Sequence, residues 1–330
     1  MTIRILVNAA LLAIPIAVTL GILFGLQSHR AATGQPPLFA PEPPPIPSPK
    51  PPAPPKNGVT KTRYCQKSFG ITPDTEGQQY TLNPNQWNWN PGDPGALCVN
   101  VTTFNNGTYA TKTTAPQFMI SWQYPAGPQD DPVHAFPNIQ VDSDVFPATI
   151  SSISKVDIDL AWSYGIGNET TVAASLADLT ADNLNTNVAI DMFIDSDKTA
   201  AQNPSKAKYE LMVWFAAFGP ATQPIGFGEG PVSTQTLDGN TFKLYAGINQ
   251  QKQNVLTWYS DTPVEKFNGD ISPLINSLFK LTATAADLPK SGDYLGYLAL
   301  GSEAFYVDKT VTLYVPKLSI DIEAAASSST

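Results

Sequence analysis

Apolar and polar residues alternate with a period of two along much of the chain after residue 57. In KVDIDLAW, residues 155–162, four apolar side chains alternate with charged or small ones, and TFKLYAGI, NVLTWYS and TVTLYVPKLSIDI show similar alternation. Clusters of Gly, Asn, Asp and Pro separate these segments. Strands of this kind bury one face and expose the other. The pattern therefore predicts an all-β, antiparallel sandwich or barrel.

One short helix is predicted, in the segment SPLINSLF. Ser272 is suited to the N-cap, Pro273 to the first helical position, and the apolar residues that follow share one face. The stretch from Val172 to Thr180 has no clear periodicity and is predicted as loop or strand. The helical content of the domain is expected to be small.

The first 56 residues differ in composition from the rest. Residues 5–26 carry no charge and, at about 1.5 Å per residue, are long enough to span a bilayer. A cleaved signal peptide is the alternative to this signal anchor. Prolines occupy more than half of residues 35–56, which favours an extended spacer. We therefore expect an N-terminal targeting segment at 1–30, a linker at 31–56 and a folded domain at 57–330.

The charge of the folded domain excludes several functions. From residue 57 onward it has 15 Lys plus Arg and 27 Asp plus Glu, which gives 15 − 27 = −12, and Arg63 is its one arginine. Nucleic acids and phosphorylated substrates are poor candidates for so acidic a domain. His134, the one histidine after residue 57, is expected to be a surface or packing residue, so a Ser-His-Asp triad or a zinc centre is not predicted. The glycine-rich GFGEG, residues 226–230, lacks the strand–loop–helix context of a phosphate site and is predicted as a loop.

Cysteines and sequons point to a secretory route. Three sequons begin at Asn100, Asn106 and Asn168. Cys65 and Cys98 either pair as a disulfide, which would contribute roughly 3–4 kcal/mol in the chain-entropy interpretation, or remain buried thiols.

Three carboxylates occur within otherwise apolar strands. In YELMVWF, Glu210 shares a face with Met212 and Trp214. In LALGSEAFYV, Glu303 shares a face with Phe305, and in NVAIDMFI, Asp191 shares a face with Phe193. Each alone could be an outward-facing strand residue. Together they suggest a cleft on a concave sheet face, because ionised acids are seldom buried unless paired or functional. Two such carboxylates can hydrolyse a glycosidic bond without a metal or cofactor.

These segments carry a resemblance to a known family. YELMVWFAAFG resembles the nucleophile strand of glycoside hydrolase family 12, whose motif is close to YE(I/L)MIW, and GSEAF is similar to its acid/base motif, near GTEPF. NVAIDMF matches the strand that bears the family's auxiliary aspartate, and NQW resembles its NLW segment. The matches occur in the same order between about Tyr64 and Ile322.

The resemblance implies a β-jelly-roll endoglucanase that cleaves β-1,4-glucans with retention of configuration. Carried over by position, Glu210 is the nucleophile, Glu303 the acid/base and Asp191 a partner hydrogen-bonded near Glu210. Asn85 and Trp87 are then expected to bind glucosyl units in the negative subsites, and Met212 and Trp214 to line the cleft. Cys65 and Cys98 fall where family members often have a disulfide.

Some positions depart from the family pattern. Ser302 and Ala304 replace the commoner Thr and Pro, and CQKSF lacks the tryptophan often found after the first cysteine. Of the remaining tryptophans, Trp122 and Trp162 are expected in the core, and the pattern does not assign Trp89 or Trp258.

The sequence thus predicts a monomeric endo-β-1,4-glucanase, anchored to a membrane by its N-terminal segment or secreted, with a β-glucan as substrate and no nucleic-acid partner. A strict xyloglucan hydrolase is the alternative within the family. A non-catalytic glycan-binding jelly roll is the alternative from another class, although a lectin has no need of two acids in one groove.

Overall fold

A computed structural model describes residues 58–104, 109–282 and 284–325. Among these residues the regular secondary structure is almost entirely β-strand, in two sheets that pack face to face. The strands are β1 (Val59–Tyr64), β2 (Gln79–Asn83), β3 (Ala96–Phe104), β4 (Gln117–Gln123), β5 (Asn138–Asp142), β6 (Ala148–Thr149), β7 (Ile153–Ile166), β8 (Asn185–Asp195), β9 (Tyr209–Phe218), β10 (Ser233–Leu237), β11 (Asn240–Ile248), β12 (Asn254–Ser260), β13 (Lys266–Asp270), β14 (Tyr294–Gly301), β15 (Ala304–Tyr306) and β16 (Val311–Ala324).

The two sheets have different sizes and orders. The outer sheet has the order β1-β3-β4-β16-β7-β13, and the inner sheet has the order β10-β11-β12-β9-β8-β14-β5-β2, with β6 and β15 attached to β14 and β8. Neighbouring strands run antiparallel, except β9 and β12, which are parallel. The expected antiparallel sandwich is confirmed, and the parallel pair was not expected from the sequence.

Alternating burial along the strands produces the core between the sheets. In β7, Val156, Ile158, Leu160 and Trp162 are buried while the residues between them are half-exposed, as the pattern predicts. Trp122 and Trp162 lie in the core, as expected, and Trp258 is also fully buried. The central strands of the inner sheet are buried on both faces, because their second face carries large side chains that form a cleft.

Three short helices interrupt the strands: α1 (Leu176–Ala181), α2 (Lys198–Ala201) and α3 (Ser272–Ser277). Helix α3 is the one that the sequence predicted, with Pro273 in its first turn. Its N-cap is Ile271 rather than Ser272, whose N–H instead donates to the Asp270 carboxylate. The interpretation of residues 172–180 as loop or strand is wrong at its end, because the Ser175 hydroxyl accepts from the Asp178 N–H and starts α1.

A disulfide between Cys65 and Cys98 confirms the expected pairing and joins the end of β1 to β3. Within the described ranges, no helix has the length and apolar character needed to cross a membrane. The anchor predicted at 5–26, the linker at 31–56 and the sequon at Asn106 lie outside the described residues. These three remain predictions.

Candidate active site

The three carboxylates singled out in the sequence meet on the inner sheet. Strands β9, β8 and β14 are neighbours, and Asp191, Glu210 and Glu303 all line one cavity of about 590 Å³ on the sheet face that points away from the core between the sheets. A larger cavity of about 690 Å³ lies beside β3 and β4, but Asp308 is the one carboxylate in its lining. The smaller cavity is therefore the candidate site.

Glu210 lies near the start of β9, opposite Phe193 of β8. Its neighbours Tyr209 and Leu211 point into the core between the sheets, so Glu210 faces the cavity. The strand therefore has the two faces that its alternation predicts. Asp191 lies on β8, opposite Met212 of β9 and Ala299 of β14. It is 5% exposed, and its Oδ1 is buried with no hydrogen-bond partner among the described residues.

Glu303 differs from expectation in its backbone. The sequence predicts a continuous strand from Leu298 to Val307, but β14 ends at Gly301 and β15 begins at Ala304. In the gap, the Glu303 N–H donates to the side-chain Oδ1 of Asn187 at 2.8 Å instead of to a main-chain carbonyl of the neighbouring strand. The Asn187 amide also donates to Glu303 Oε2, so one side chain holds both ends of this glutamate.

Ser302 explains the interruption of the strand. Its hydroxyl is fully buried and donates to the Asn187 carbonyl at 2.6 Å. It also lies 2.7 Å from the Tyr164 hydroxyl and 2.8 Å from the Thr186 hydroxyl, which itself donates to the Glu303 carbonyl. Because these partners satisfy its buried oxygen, Ser302 turns inward and Glu303 projects into the cavity.

Glu210 has a different amide neighbour. Asn249, in the turn between β11 and β12, donates to Glu210 Oε2 at 3.2 Å. The same amide donates to Gln253 Oε1 at 2.9 Å, and Asn249 Oδ1 accepts from the Gln253 N–H. Gln253 in turn donates to the carbonyls of Pro204 and Ala207. The amide that contacts Glu210 is therefore fixed on several sides.

Burial perturbs all three carboxyl groups. Burial is the main cause that raises the pKa of Glu210 to about 7, and the Asn249 hydrogen bond opposes it. Burial, followed by the nearby Glu210 charge, raises the pKa of Glu303 to about 8. Burial and the charges of Glu210 and Glu303 hold the pKa of Asp191 well above its usual range. Environments that separate pKa values in this way are typical of acid/base sites.

The NQW segment reaches the cavity through an unusual backbone. Asn85 has a φ of 41°, and its N–H and side chain bond to Asn83 and to the Phe136 carbonyl. Gln86 turns into the core, where it accepts from the Tyr124 hydroxyl at 2.7 Å. Asn85 and Trp87 consequently both line the cavity, and Trp87 is 47% exposed.

Trp214 and Met212 share a face with Glu210 but differ in position. Met212 lines the cavity, whereas Trp214 is 3% exposed and does not line it. The Trp214 indole N–H donates to the Met212 sulfur, and its ring lies edge-on to Tyr259. The structure thus places Trp214 beneath the cleft wall.

Residues that the sequence excluded from catalysis lie outside the cavity. The His134 ring stacks on Tyr124 and bonds to the Pro125 carbonyl, which confirms a packing role. The segment GFGEG forms a loop with a single 3-10 turn at Phe227–Glu229.

Several residues that line the cavity or hold its carboxylates were not predicted. Asn187 lies four residues before Asp191 on β8, so the alternation of the strand puts both on the same face and could have identified Asn187. Asn249 and Gln250 lie in the polar turn NQQKQN, which gives no comparable signal. Tyr297 lies on β14, contacts Phe193 edge-on, and completes the aromatic side of the cavity.

Comparison with known proteins agrees with this geometry. The sequence model of "Glycosyl hydrolase family 12" matches residues 78–323. A probable xyloglucan-specific endo-beta-1,4-glucanase A of Aspergillus clavatus is 29% identical over 71% of this chain and 81% of its own length. The xyloglucan-specific endo-beta-1,4-glucanase A of Emericella nidulans is 28% identical over 72% and 83%.

Solved structures show the same fold. Endoglucanase 3 of Trichoderma harzianum superposes with a TM-score of 0.60 at 24% identity, covering 79% of this chain and 97% of that one. A family 12 xyloglucanase of Bacillus licheniformis superposes with a TM-score of 0.56 at 15% identity, covering 79% and 99%. Because the family match spans about three quarters of the sequence and includes Asp191, Glu210 and Glu303, the chain belongs to glycosyl hydrolase family 12.

Proposed function

We propose that this glycoside hydrolase cleaves internal β-1,4 bonds of β-glucans with retention of configuration. The observation that carries the proposal is the placement of Glu210 and Glu303 in one cavity, each held by a separate amide side chain. Retaining glycosidases need one carboxylate as nucleophile and a second as acid and then base.

In the first step, ionised Glu210 attacks the anomeric carbon and the bond to the leaving sugar oxygen breaks. Glu303 donates its proton to that oxygen, so the shortened chain leaves as a neutral alcohol. The higher pKa of Glu303, about 8 against about 7 for Glu210, supports this division of roles. A glycosyl ester on Glu210 results.

In the second step, a water molecule attacks the same carbon. Glu303, now ionised, removes a proton from the water, and the ester bond to Glu210 breaks, which restores both groups. Asp191 supports the first carboxylate: its raised pKa keeps a proton on its buried carboxyl group, which can then stabilise ionised Glu210 nearby.

Asn85, Trp87 and Met212 are proposed to bind glucosyl units. The half-exposed Trp87 ring offers an apolar face to a sugar ring, and the Asn85 amide offers hydrogen-bonding groups. Trp214 is proposed to act indirectly, by holding Met212 in the cleft wall.

A strict xyloglucan hydrolase is the second candidate. The relatives from Aspergillus clavatus and Emericella nidulans carry that specificity in their names. A non-catalytic lectin is disfavoured, because burying two acids with raised pKa values is costly without a chemical task.

We also propose that the protein follows the secretory route, since its disulfide and sequons suit an oxidising compartment. Sequencing the N-terminus of the mature protein separates the two expected forms. An N-terminus before residue 5 supports the anchor, and one beyond Leu26 supports a cleaved signal.

The proposal is tested with the full chain on mixed-linkage glucan, carboxymethyl cellulose and xyloglucan. Release of reducing ends with a rapid fall in viscosity is expected on at least one polymer. A 2-fluoroglycosyl fluoride should add one glycosyl mass to the peptide that contains Glu210, and Glu210→Gln should abolish this adduct. Absence of hydrolysis on all three polymers contradicts the enzyme proposal, and an adduct elsewhere contradicts the nucleophile assignment.

A further inference from the structure

A contact above the cavity joins two loops that are far apart in the sequence. The Gln250 side chain, in the turn between β11 and β12, donates to the main-chain carbonyl of Asp130. Asp130 lies between β4 and β5. Both residues line the cavity that contains Asp191, Glu210 and Glu303.

These two loops begin on opposite sides of the catalytic strands. The inner sheet runs β12-β9-β8-β14-β5, so three strands separate the β12 loop from the β5 loop. The loops also lie at opposite strand ends. Asn254 of β12 pairs with Tyr209, next to Glu210, whereas Asn138 of β5 pairs with Gly301, just before Glu303. The Gln250–Asp130 contact therefore crosses from the wall near Glu210 to the wall near Glu303.

Each loop is fixed at its base. The Asn88 amide donates to the carbonyls of Asp131 and Val133, and the His134 N–H donates to the Ala304 carbonyl. On the other side, Gln253 holds the turn that carries Gln250, through its bonds to Asn249 and to the carbonyls of residues 204 and 207. The bases are anchored, while Asp130 and Gln250 themselves are exposed.

We propose that residues 130–133 together with Gln250, here called the strap, determine specificity by covering the catalytic cleft and favouring glucans without side branches. The inference rests on the proposed function and narrows its substrate. A polymer that lies between Glu210 and Glu303 must pass beneath the strap. A bare glucan chain presents the smallest cross-section there, and a glycosyl branch at the covered sugar collides with the strap.

The strap also explains how an internal bond becomes accessible. A chain without a nearby end enters from the side, so the Gln250–Asp130 contact has to open first. One exposed hydrogen bond between neutral groups contributes little net stability, so the strap opens readily and closes over the bound chain. The same opening admits a branched chain, but the closed form does not accommodate it.

The first test compares kcat/KM on mixed-linkage glucan with kcat/KM on xyloglucan. The unmodified protein should prefer the unbranched polymer at least tenfold, and Gln250→Ala should reduce that ratio by about threefold to tenfold, the range set by one hydrogen bond. Gln202→Ala is the matched control and should leave the ratio within twofold, because that exposed side chain also donates to a main-chain carbonyl but does not line the cavity. An equal or greater activity on xyloglucan overturns the strap proposal but leaves the proposed function intact. Inactivity on every polymer overturns the proposed function instead.

The second test locks the strap. Asp130→Cys with Gln250→Cys, joined by a short bis-maleimide, should lose at least tenfold of its viscosity-lowering activity on mixed-linkage glucan. Cleavage of a short aryl cello-oligosaccharide, which can enter from the end of the cleft, should stay within threefold. Each single-cysteine variant treated with the same reagent is the control. Equal loss on both substrates, or no loss on the polymer, contradicts the proposal.

Discussion

Asn249 Nδ2 lies 3.2 Å from Glu210 Oε2, and this hydrogen bond opposes the effect of burial on the glutamate. The amide cannot rotate freely, because Gln253 bonds to both its nitrogen and its oxygen. It therefore favours the ionised form of Glu210 and fixes one of its two oxygens. We infer that Asn249 positions the nucleophile.

Asn249→Ala should lower kcat by about 10-fold to 100-fold, because a hydrogen bond to a charged group contributes about 1.5–3 kcal/mol. Its loss removes the interaction that lowers the pKa of Glu210, so the acidic limb of the kcat/KM profile should move to higher pH. Asn240→Ala is the control, since that amide donates to a turn carbonyl at the edge of the inner sheet. A lower rate with an unmoved acidic limb would indicate a purely structural role.

The activity should have a bell-shaped dependence on pH. Glu210 has to be ionised, so kcat/KM should rise as pH increases through about 7. Glu303 has to be protonated, so kcat/KM should fall as pH increases through about 8. In Glu303→Gln, an aryl glycoside that leaves without protonation should show the rise but not the fall. Initial rates from pH 4 to 10 test this, and an acidic limb near the ordinary value of 4.5 contradicts the role of burial.

Stability should decrease as pH rises. The pKa of Glu303 is raised from 4.5 to about 8, so between these values the folded protein keeps a proton that the unfolded chain loses. The folded state is therefore progressively disfavoured through that window, by about 1.4 kcal/mol per pH unit at most. The glutamine in Glu303→Gln does not titrate. The Tm of this variant minus the Tm of the unmodified protein should therefore be several degrees larger at pH 9 than at pH 5. The exposed Glu265→Gln is the control, and an equal Tm difference at both pH values contradicts the expectation.

Much of the site could be predicted because strand alternation assigns faces. Glu210 and Asp191 project from regular strands, so counting in twos was sufficient to place them beside aromatic residues. The same rule directed Glu303 to the cleft but did not predict the break in its strand, where Ser302 turns inward to join buried hydroxyls from β7 and β8. Those partners are distant in sequence and have no local signature.

Loops limit the prediction further. Trp214 lies on the same face of β9 as Glu210, but Tyr259 of the neighbouring strand β12 packs against it. Periodicity does not predict which strands are neighbours, so this contact could not be foreseen. Asn249 and Gln250 lie in a turn whose polar composition is common to many loops. Their contacts with Glu210 and Asp130 depend on which turn is placed at which end of the sheet.

Ser302→Ala should destabilise the protein by about 1–3 kcal/mol. The change removes one buried hydrogen-bond partner each from the hydroxyls of Tyr164 and Thr186 and from the carbonyl of Asn187. Because Asn187 also holds Glu303, activity should fall with stability. Urea unfolding measures the first effect, with the exposed Ser196→Ala as the control. A loss no larger than that of the control would show that the hydroxyl network contributes little.

The two described sequons should differ in glycosylation. Asn168 is exposed in the turn after β7, whereas Asn100 lies within β3, between Arg63 of β1 and Met119 of β4. The Asn100 side-chain nitrogen is buried and makes no hydrogen bond among the described residues, so a glycan there is incompatible with the folded outer sheet. After secretion from a eukaryotic host, enzymatic deglycosylation in heavy-oxygen water should label Asn168 and leave Asn100 unlabelled in peptide mass spectra. Asn168→Gln should remove that label without changing the fold, and label at Asn100 in correctly folded protein contradicts the prediction.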